Sequence, residues 1–323
     1  MLNTSNINFY VKIKVQIKVS IIIPNYNHVA FLQQRLDSVF EQTFQDFEVI
    51  LLDDASTDGS HELLKHYSKN PKVSDVVINK ENSGSPFKQW KKGIELAKGE
   101  YIWIAESDDY CETFFLERMM NGFLNGADIC YSQSSDVNTD GTTFIDRISY
   151  TAEFKPNIWR NDFTMNGNEF NNTYLLIKNV IPNASAVVFK RRIVDSVFFD
   201  STLLSMKMCG DWLFWMRLCN NNKIAFFCQS LNYFRYHDAI SRTHNTLEKQ
   251  KLRLQEESAL RREVYQNIGI RNRTQEELLF GKWFKLHGFL KVFTKSFYVI
   301  SLLQISSKSL FLKFVFLKLK DRF

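Results

Sequence analysis

Several features are missing from this chain, and each gap removes a class of protein. Five cysteines stand in 323 residues, Cys111, Cys130, Cys209, Cys219 and Cys228, and no two have CxxC spacing. An odd, scattered set argues against a disulfide framework or a structural zinc site and fits reduced, mostly buried thiols in a cytosolic protein. No uninterrupted apolar run reaches the ~18–20 residues that cross a bilayer. The N-terminus, MLNTSNINFYVKIKVQIKVSIIIPNYN, lacks a basic region followed by an unbroken apolar one, so no signal peptide is expected. No G-x-G-x-x-G follows the first apolar run, and there is no G-x-x-x-x-G-K-[ST] and no G-x-S-x-G. A dinucleotide oxidoreductase, a P-loop NTPase and an α/β-hydrolase are disfavoured accordingly. Internal repeats and low-complexity tracts are also absent.

What is present suits a folded chain. Hydrophobic residues make up 45% and charged residues 24%, enough for a substantial core without wholesale disorder. Phenylalanine is abundant at 29 residues, many in the last third. The net charge is +6, and it is local: from Phe284 to Phe323 eight cations face one acid, Asp321, leaving the rest of the chain near neutral. That balance gives no support to nucleic-acid binding by the main domain.

The first part of the chain alternates strand and helix. Val19–Ile23 reads as a buried strand stopping at Pro24, Val29–Gln42 as a helix, Phe47–Leu52 as a strand and His61–Tyr67 as a helix. Val73–Asn79 is a third strand, Phe87–Lys98 a helix with Gly99 at its stop, and Tyr101–Ala105 a fourth strand. Later come helices over Phe114–Leu124, Gly210–Leu218 and Leu247–Val264, and strands over Ile129–Ser132 and Ser185–Phe189. The alternation predicts an α/β fold with a mostly parallel sheet flanked by helices, whose ligands bind outside the carboxyl ends of the strands. Three of the first four strands end in polar clusters: Asn25-Tyr26-Asn27, Asp53-Asp54 and Glu106-Ser107-Asp108-Asp109.

These clusters can carry chemistry. Carboxylates converging at a strand end can hold a hard divalent cation, which can bridge diphosphate oxygens; a solvated, capping turn is the plainer alternative. Asp53 or Asp54 can accept hydrogen bonds from a base or ribose, while Asp58 and Ser56 suit capping of the next helix. Tyr26 can stack on a nucleobase or pack under its loop. Asp211 can be a general base or a helix cap. His237 can ligate a metal, with Arg235 beside it to pair with phosphate, or be an ordinary half-buried histidine.

Four stretches, VSIIIPNYNHVAFLQQRLDSVFEQTFQDFEVILLDDASTDGS, ENSGSPFKQWKKGIELAKGEYIWIAESDD, GDWLFWMRL and YFRYHDAISR, resemble in this order the family 2 glycosyltransferases, over roughly residues 18–245. The resemblance implies a GT-A fold, a Rossmann-like, mostly parallel mixed sheet. It gives Pro24, Tyr26, Asn27 and Asp54, with Asp53 beside them, to the nucleotide. It gives Asn82 and Gly84 to the donor pocket and Lys88 to the diphosphate. Asp108, Asp109 and His237, with Glu106 where the family has Asp, become ligands of Mg2+ or Mn2+. Asp211 becomes the base of an inverting displacement. The loop Gly84–Gly93 departs from the family pattern by carrying Phe87, Gln89 and Trp90.

The function so implied is transfer of a sugar from a nucleoside-diphosphate sugar to a glycan or lipid-linked acceptor, in bacterial surface-polysaccharide synthesis. A catalytically inactive, sugar-nucleotide-binding scaffold is the alternative. The domains expected are an N-terminal extension over 1–17, a catalytic domain over 18–245 and a helical C-terminal extension over 246–323. The basic, apolar tail reads as a peripheral contact on the inner face of the cell membrane, as an amphipathic helical pair docked on the domain, or as an oligomer contact.

Overall fold

The computed structural model describes residues 18–181, 183–237, 246–300 and 307–320. The N-terminal extension, the boundary at 245 and residues 238–242 of the last matching stretch lie outside the described residues.

The first half follows the expected alternation: β1 (Val19–Asn25), α1 (Val29–Phe40), β2 (Phe47–Asp53), α2 (Ser60–Tyr67), β3 (Val73–Ile78), α3 (Pro86–Leu96) and β4 (Tyr101–Ile104). The next section has strands β5 (Tyr110–Cys111), β6 (Ile129–Val137), β7 (Thr143–Asp146) and β8 (Phe163–Asn166), with α4 (Phe115–Leu124) after β5. Then come α5 (Gly167–Phe170), β9 (Val187–Lys190), α6 (Ser201–Ser205), α7 (Gly210–Cys219) and β10 (Lys223–Arg235). Three helices follow, α8 (Leu247–Asn267), α9 (Arg273–Lys285) and α10 (Ser307–Lys320).

All the strands form one sheet in the order β3-β2-β1-β4-β9-β6-β10-β5, with β7 beside β6 and β8 beside β10. β1 to β4 pair in parallel, and β9 lies antiparallel between β4 and β6. The mixed, mostly parallel sheet and its C-terminal helices match the expectation. Side chains alternate along β1, β2 and β4 and feed two cores. Ile22, Ile50, Ile102 and Ile104 pack under α3 and α7, while Ile21, Ile23, Val49 and Trp103 pack under α1, α2 and α4. Such runs, buried on both faces, are the mark of a parallel sheet covered by helices.

Three local departures have physical causes. β1 does not stop at Pro24 but runs to Asn25. Ala105 N donates to Ile22 O at 2.8 Å, so Ile22 turns its backbone polar groups to β4. Pro24, two residues on, turns the same way but lies past the last β4 pair, Ile22–Ile104, where no N–H is required. Gly99 is not the cap of α3, which ends at Leu96 with Ala97 as cap. A Cβ on Gly99 would lie 2.7 Å from Ser20 N, so the glycine is set by the close approach of the two chain segments. β6 is longer than the four residues expected, because pairing with β10 continues to Val137–Arg235.

The tail forms a third small core of its own: Phe280, Trp283 and Phe284 of α9 enclose Phe297, Ile300, Leu310 and Phe314. α8 serves both parts, with Leu260 and Val264 in the main core and Leu254 in this one. Among the described residues, no helix is long and apolar enough to cross a membrane.

Candidate active site

The carboxyl ends of β1, β2 and β4 open onto a cavity of about 580 Å3, within the size range of ligand pockets. Pro24, Tyr26, Asn27, Asp54, Asn82, Gly84, Glu106, Asp108, Asp109, Asp211 and His237 all line it. These residues come from segments scattered over the whole domain, and the sheet gathers them at one rim.

The first wall is built on β1 and β2. Asn27 adopts φ 56° and its amide oxygen takes Thr57 N at 2.7 Å, while Asn27 N donates to Ser56 Oγ at 2.9 Å. Tyr26, beside it, stays 46% exposed, with its ring available at the cavity's edge. Asp54 is buried and organises the next loop, accepting from Asn79 Nδ2 (2.6 Å), Ser83 N (2.9 Å), Ser83 Oγ (2.8 Å) and Gln89 Nε2 (2.8 Å). Asn82 spans this loop by donating to Asp54 O at 3.2 Å and accepting from Gly84 N at 2.8 Å.

Two residues assigned to the nucleotide sit elsewhere. Asp53 does not line the cavity; its carboxylate is consumed by Asn25 Nδ2, Ser56 N, Ser56 Oγ and His61 Nε2 at 2.7–2.9 Å. Burial opposes its ionisation, but those hydrogen bonds outweigh burial and hold its pKa below the usual value. Asp53 is therefore an internal tie between β1 and the start of α2. Lys88 also faces away, donating to Ser83 O at 2.8 Å from an exposed position, while its neighbours Phe87, Gln89 and Trp90 line the cavity.

The acidic cluster after β4 is divided in its tasks. Asp108 accepts or shares a proton with His237 Nε2 at 3.0 Å. His28, which the sequence reading did not single out, completes the group: one ligand atom each from His28, Asp108 and His237 lie within 4.8 Å of one another. This is the group among the described residues able to share a metal ion. Asp109 turns the other way, taking Asn183 Nδ2 at 2.6 Å and Arg235 N at 3.1 Å. Glu106 accepts from Trp90 Nε1 at 2.8 Å, and its backbone carbonyl takes Arg35 Nε at 2.8 Å. Neither Glu106 nor Asp109 joins the two histidines. Arg235 does not line the cavity either; its guanidinium is spent on Asp108 O (3.0 Å), Asn138 O (3.1 Å), Thr139 O (2.7 Å) and Gln34.

Crowding sets the charges of this cluster. Burial, then the nearby Asp108 charge, push Glu106 up to about 8 and Asp109 up to about 6. Asp108 is also penalised by burial, yet the His237 hydrogen bond and the charges of both histidines hold it below the usual range. Burial lowers the pKa of His28, against the pull of Asp108. The negative charge thus concentrates on Asp108, next to two imidazoles.

The opposite wall comes from the second half. α7 starts tight against α3, and a Cβ on Gly210 would lie 2.2 Å from Phe87 Cε2, so only glycine lets Asp211 approach so closely. Asp211 Oδ2 takes Asn179 Nδ2 at 3.0 Å and its Oδ1 takes Trp212 N at 2.8 Å. Ser185 Oγ accepts from Glu106 N at 3.1 Å. Asn183 and Ser185, which tie the two halves together, carry no sequence signal; His28 could have been found, since it directly follows the polar end of β1.

Comparison with known proteins fits this arrangement. A poly(ribitol-phosphate) beta-glucosyltransferase of Bacillus spizizenii is 38% identical over 127 residues, which cover 38% of this chain and 20% of that one. This chain therefore spans a small part of that relative. The structure of S. aureus TarS 1-349 in complex with UDP-GlcNAc superposes with TM-score 0.55 at 18% identity, covering 83% of this chain and 80% of that one. A mannosyltransferase from Pyrobaculum calidifontis in complex with GDP-Man and Mn2+ superposes with TM-score 0.53 at 15% identity, covering 83% and 72%. These low-identity likenesses speak for the GT-A fold. The family model for glycosyl transferase family 2 matches residues 20–198, a stretch that holds the rim of β1, β2 and β4 with its carboxylates; the chain belongs to that family.

Proposed function

We propose that the chain is an inverting, metal-assisted glycosyltransferase. It moves a sugar from a nucleoside-diphosphate donor to a hydroxyl of a glycan or lipid-linked acceptor in bacterial surface-polysaccharide assembly. The observation that carries this reading is the convergence of Asp54, Asp108, His237 and Asp211 on one cavity.

The donor set fits a divalent cation: a carboxylate of lowered pKa and two imidazoles, with room for diphosphate oxygens. Nitrogen ligands favour Mn2+ over Mg2+, which prefers an all-oxygen octahedron. Such an ion, when bound, neutralises the charge of the departing nucleoside diphosphate.

The protein's own residues account for the rest. The exposed ring of Tyr26 offers a stacking face for the base, with Pro24 and Asn27 beside it. The loop that Asp54 holds through Ser83 and Gln89 shapes the donor end with Asn82 and Gly84. Asp211 lies on the wall contributed by α7, where its carboxylate takes the proton of the acceptor hydroxyl while the hydroxyl oxygen attacks the anomeric carbon and the bond from that carbon to the nucleoside diphosphate breaks. One displacement with one base inverts the anomeric configuration.

The tail supports a peripheral membrane contact. Leu290, Phe293, Leu312 and Phe316 are exposed by 77%, 71%, 58% and 71%, on helical segments that also carry Lys291, Lys295, Lys308, Lys313, Lys318 and Lys320. Apolar side chains among lysines suit the headgroup region of an anionic cytoplasmic leaflet.

Calorimetric titration with UDP-GlcNAc, UDP-glucose and GDP-mannose, with and without Mn2+, tests the reading. At least one sugar nucleotide should bind in a metal-dependent way and be turned over. Failure of all to bind, or metal-independent turnover, overturns it.

A further inference from the structure

Asp211 is the second residue of α7, and the segment just before that helix is held in an unusual way. The backbone N–H groups of Lys207, Met208 and Cys209 all donate to one side chain, Glu256 of α8. Lys207 N reaches Oε1 at 2.8 Å, and Met208 N and Cys209 N reach Oε2 at 2.8 and 2.9 Å. Glu256 is 7% exposed. Burying a carboxylate is costly unless its lone pairs are filled, and three charge-assisted bonds to consecutive amides fill them.

The same helix reaches the other side of Asp211. Arg261 Nη1 donates to Leu176 O at 2.9 Å, with the guanidinium fixed by Glu257 through Nε at 3.0 Å. Three residues past Leu176, Asn179 makes the 3.0 Å contact to Asp211 Oδ2. Further along, Arg217 of α7 bonds to Glu263 of α8 at 2.9 Å. Both chain segments that touch Asp211 are therefore hung on α8, and Lys207 and Met208 line the cavity with it.

The geometry points to Glu256 as a positioning residue for Asp211: α8, outside the span matched by the family, sets where the base stands. This rests on the reading of Asp211 as the base. Glu256 itself does not line the cavity. Its role is to fix the entry of α7, so that the carboxylate meets the acceptor hydroxyl at reacting distance. Displacements of about 1 Å at such a group cost on the order of 100-fold in rate.

The test uses the full chain as wild type, Glu256→Ala and the isosteric Glu256→Gln, which keeps one acceptor oxygen but sets an amide N–H2 against the backbone donors. Hydrogen exchange should quicken by tenfold or more across residues 207–209 and the first turn of α7 in Glu256→Ala, and by less in Glu256→Gln. Protection in β1, β4 and α8 should stay at the wild-type level. Unchanged exchange in α7, or an even loss of protection throughout a variant, overturns the proposal. Initial rates with UDP-GlcNAc, UDP-glucose and GDP-mannose plus Mn2+ form the second arm. The expected pattern is a kcat lowered about 10- to 100-fold, KM for the donor within about twofold of wild type, and partial recovery in Glu256→Gln. A raised KM with unchanged kcat counts against positioning. A wild type that turns over no sugar nucleotide defeats the glycosyltransferase reading instead, and the exchange arm then decides whether α8 holds Asp211.

Discussion

His237 Nε2 stands 3.0 Å from Asp108 Oδ2 although 129 positions separate them in the chain, and the His28 ring meets the His237 ring edge-on at 5.2 Å. Three separate strand ends thus supply one small cluster. His28→Ala and His237→Ala should each weaken Mn2+-dependent UDP binding about tenfold or more, while leaving the melting temperature within a few degrees of wild type. Calorimetry with and without Mn2+ measures this, and equal affinity in both variants and wild type would remove the metal from this position.

Asp211→Asn keeps the size of the side chain and an acceptor oxygen but cannot take a proton. Transfer should fall by about 10^2- to 10^4-fold, with UDP affinity nearly unchanged. A matching loss of affinity would move Asp211 from the chemistry to donor binding.

Glu106 sets a pH dependence whose sign is fixed. Its ordinary value is 4.5 and burial holds it up to about 8 in the fold. Between those values the native protein keeps a proton that the unfolded chain has lost, so this contribution to stability declines as pH rises. Glu106→Gln retains the oxygen facing Trp90 Nε1 and removes the titration. In metal-free buffer the variant should gain on wild type by several degrees of melting temperature between about pH 5 and about pH 8. A constant difference across that range would show that Glu106 titrates normally.

Asp53 acts in the opposite direction. Its pKa is lowered from 3.8, so its stabilising effect is present above that value and is lost as pH falls through the lower folded value. Asp53→Asn should destabilise at neutral pH by about 1–3 kcal/mol, and the deficit should shrink in strong acid. Thermal melts over that range check the sign.

The tail allows a clean separation of packing from surface. Leu290→Ser, Phe293→Ser and Phe316→Ser together should reduce co-sedimentation with vesicles containing phosphatidylglycerol and leave the melting temperature unchanged. Phe314→Ala, at a fully buried position, should instead cost about 3–5 kcal/mol. Vesicle binding that persists in the triple variant would assign those side chains to another partner.

Of the first four strands, β1, β2 and β4 were legible because each is a short apolar run closed by a polar cluster and buried along its whole length, whereas β3 alternates half-buried and exposed residues. The later half was less so. β10 carries a register shift between Phe227 and Ser230, which breaks the alternation a reader would search for. At the site, the carboxylates that follow β2 and β4 could be picked out by position, as the polar ends of buried strands. Asp53 could not be told from Asp54, since neighbours at a strand end point to opposite sides and only the fold shows which side is the cavity. Lys88 failed for the helical version of that reason: Phe87, Gln89 and Trp90 face inward and leave it on the outer surface. The partners of Asp109 and Asp211, Asn183 and Asn179, are asparagines in irregular loops, where no periodicity marks them.

The place of β9 bears on how the chain is made. It seals the edge of β4, and the Trp103 indole N–H finds its acceptor only at Ser185, 82 residues later. At ~5–20 residues per second of synthesis, that open edge waits roughly 4–16 s for its neighbour. Throughout that interval a nascent β1–β4 half presents Ile102 and Trp103 on an unpaired strand, the kind of edge that recruits other chains. That edge is protected only when Val187–Lys190 slots in, and Asp211 and His237 join the rim later still.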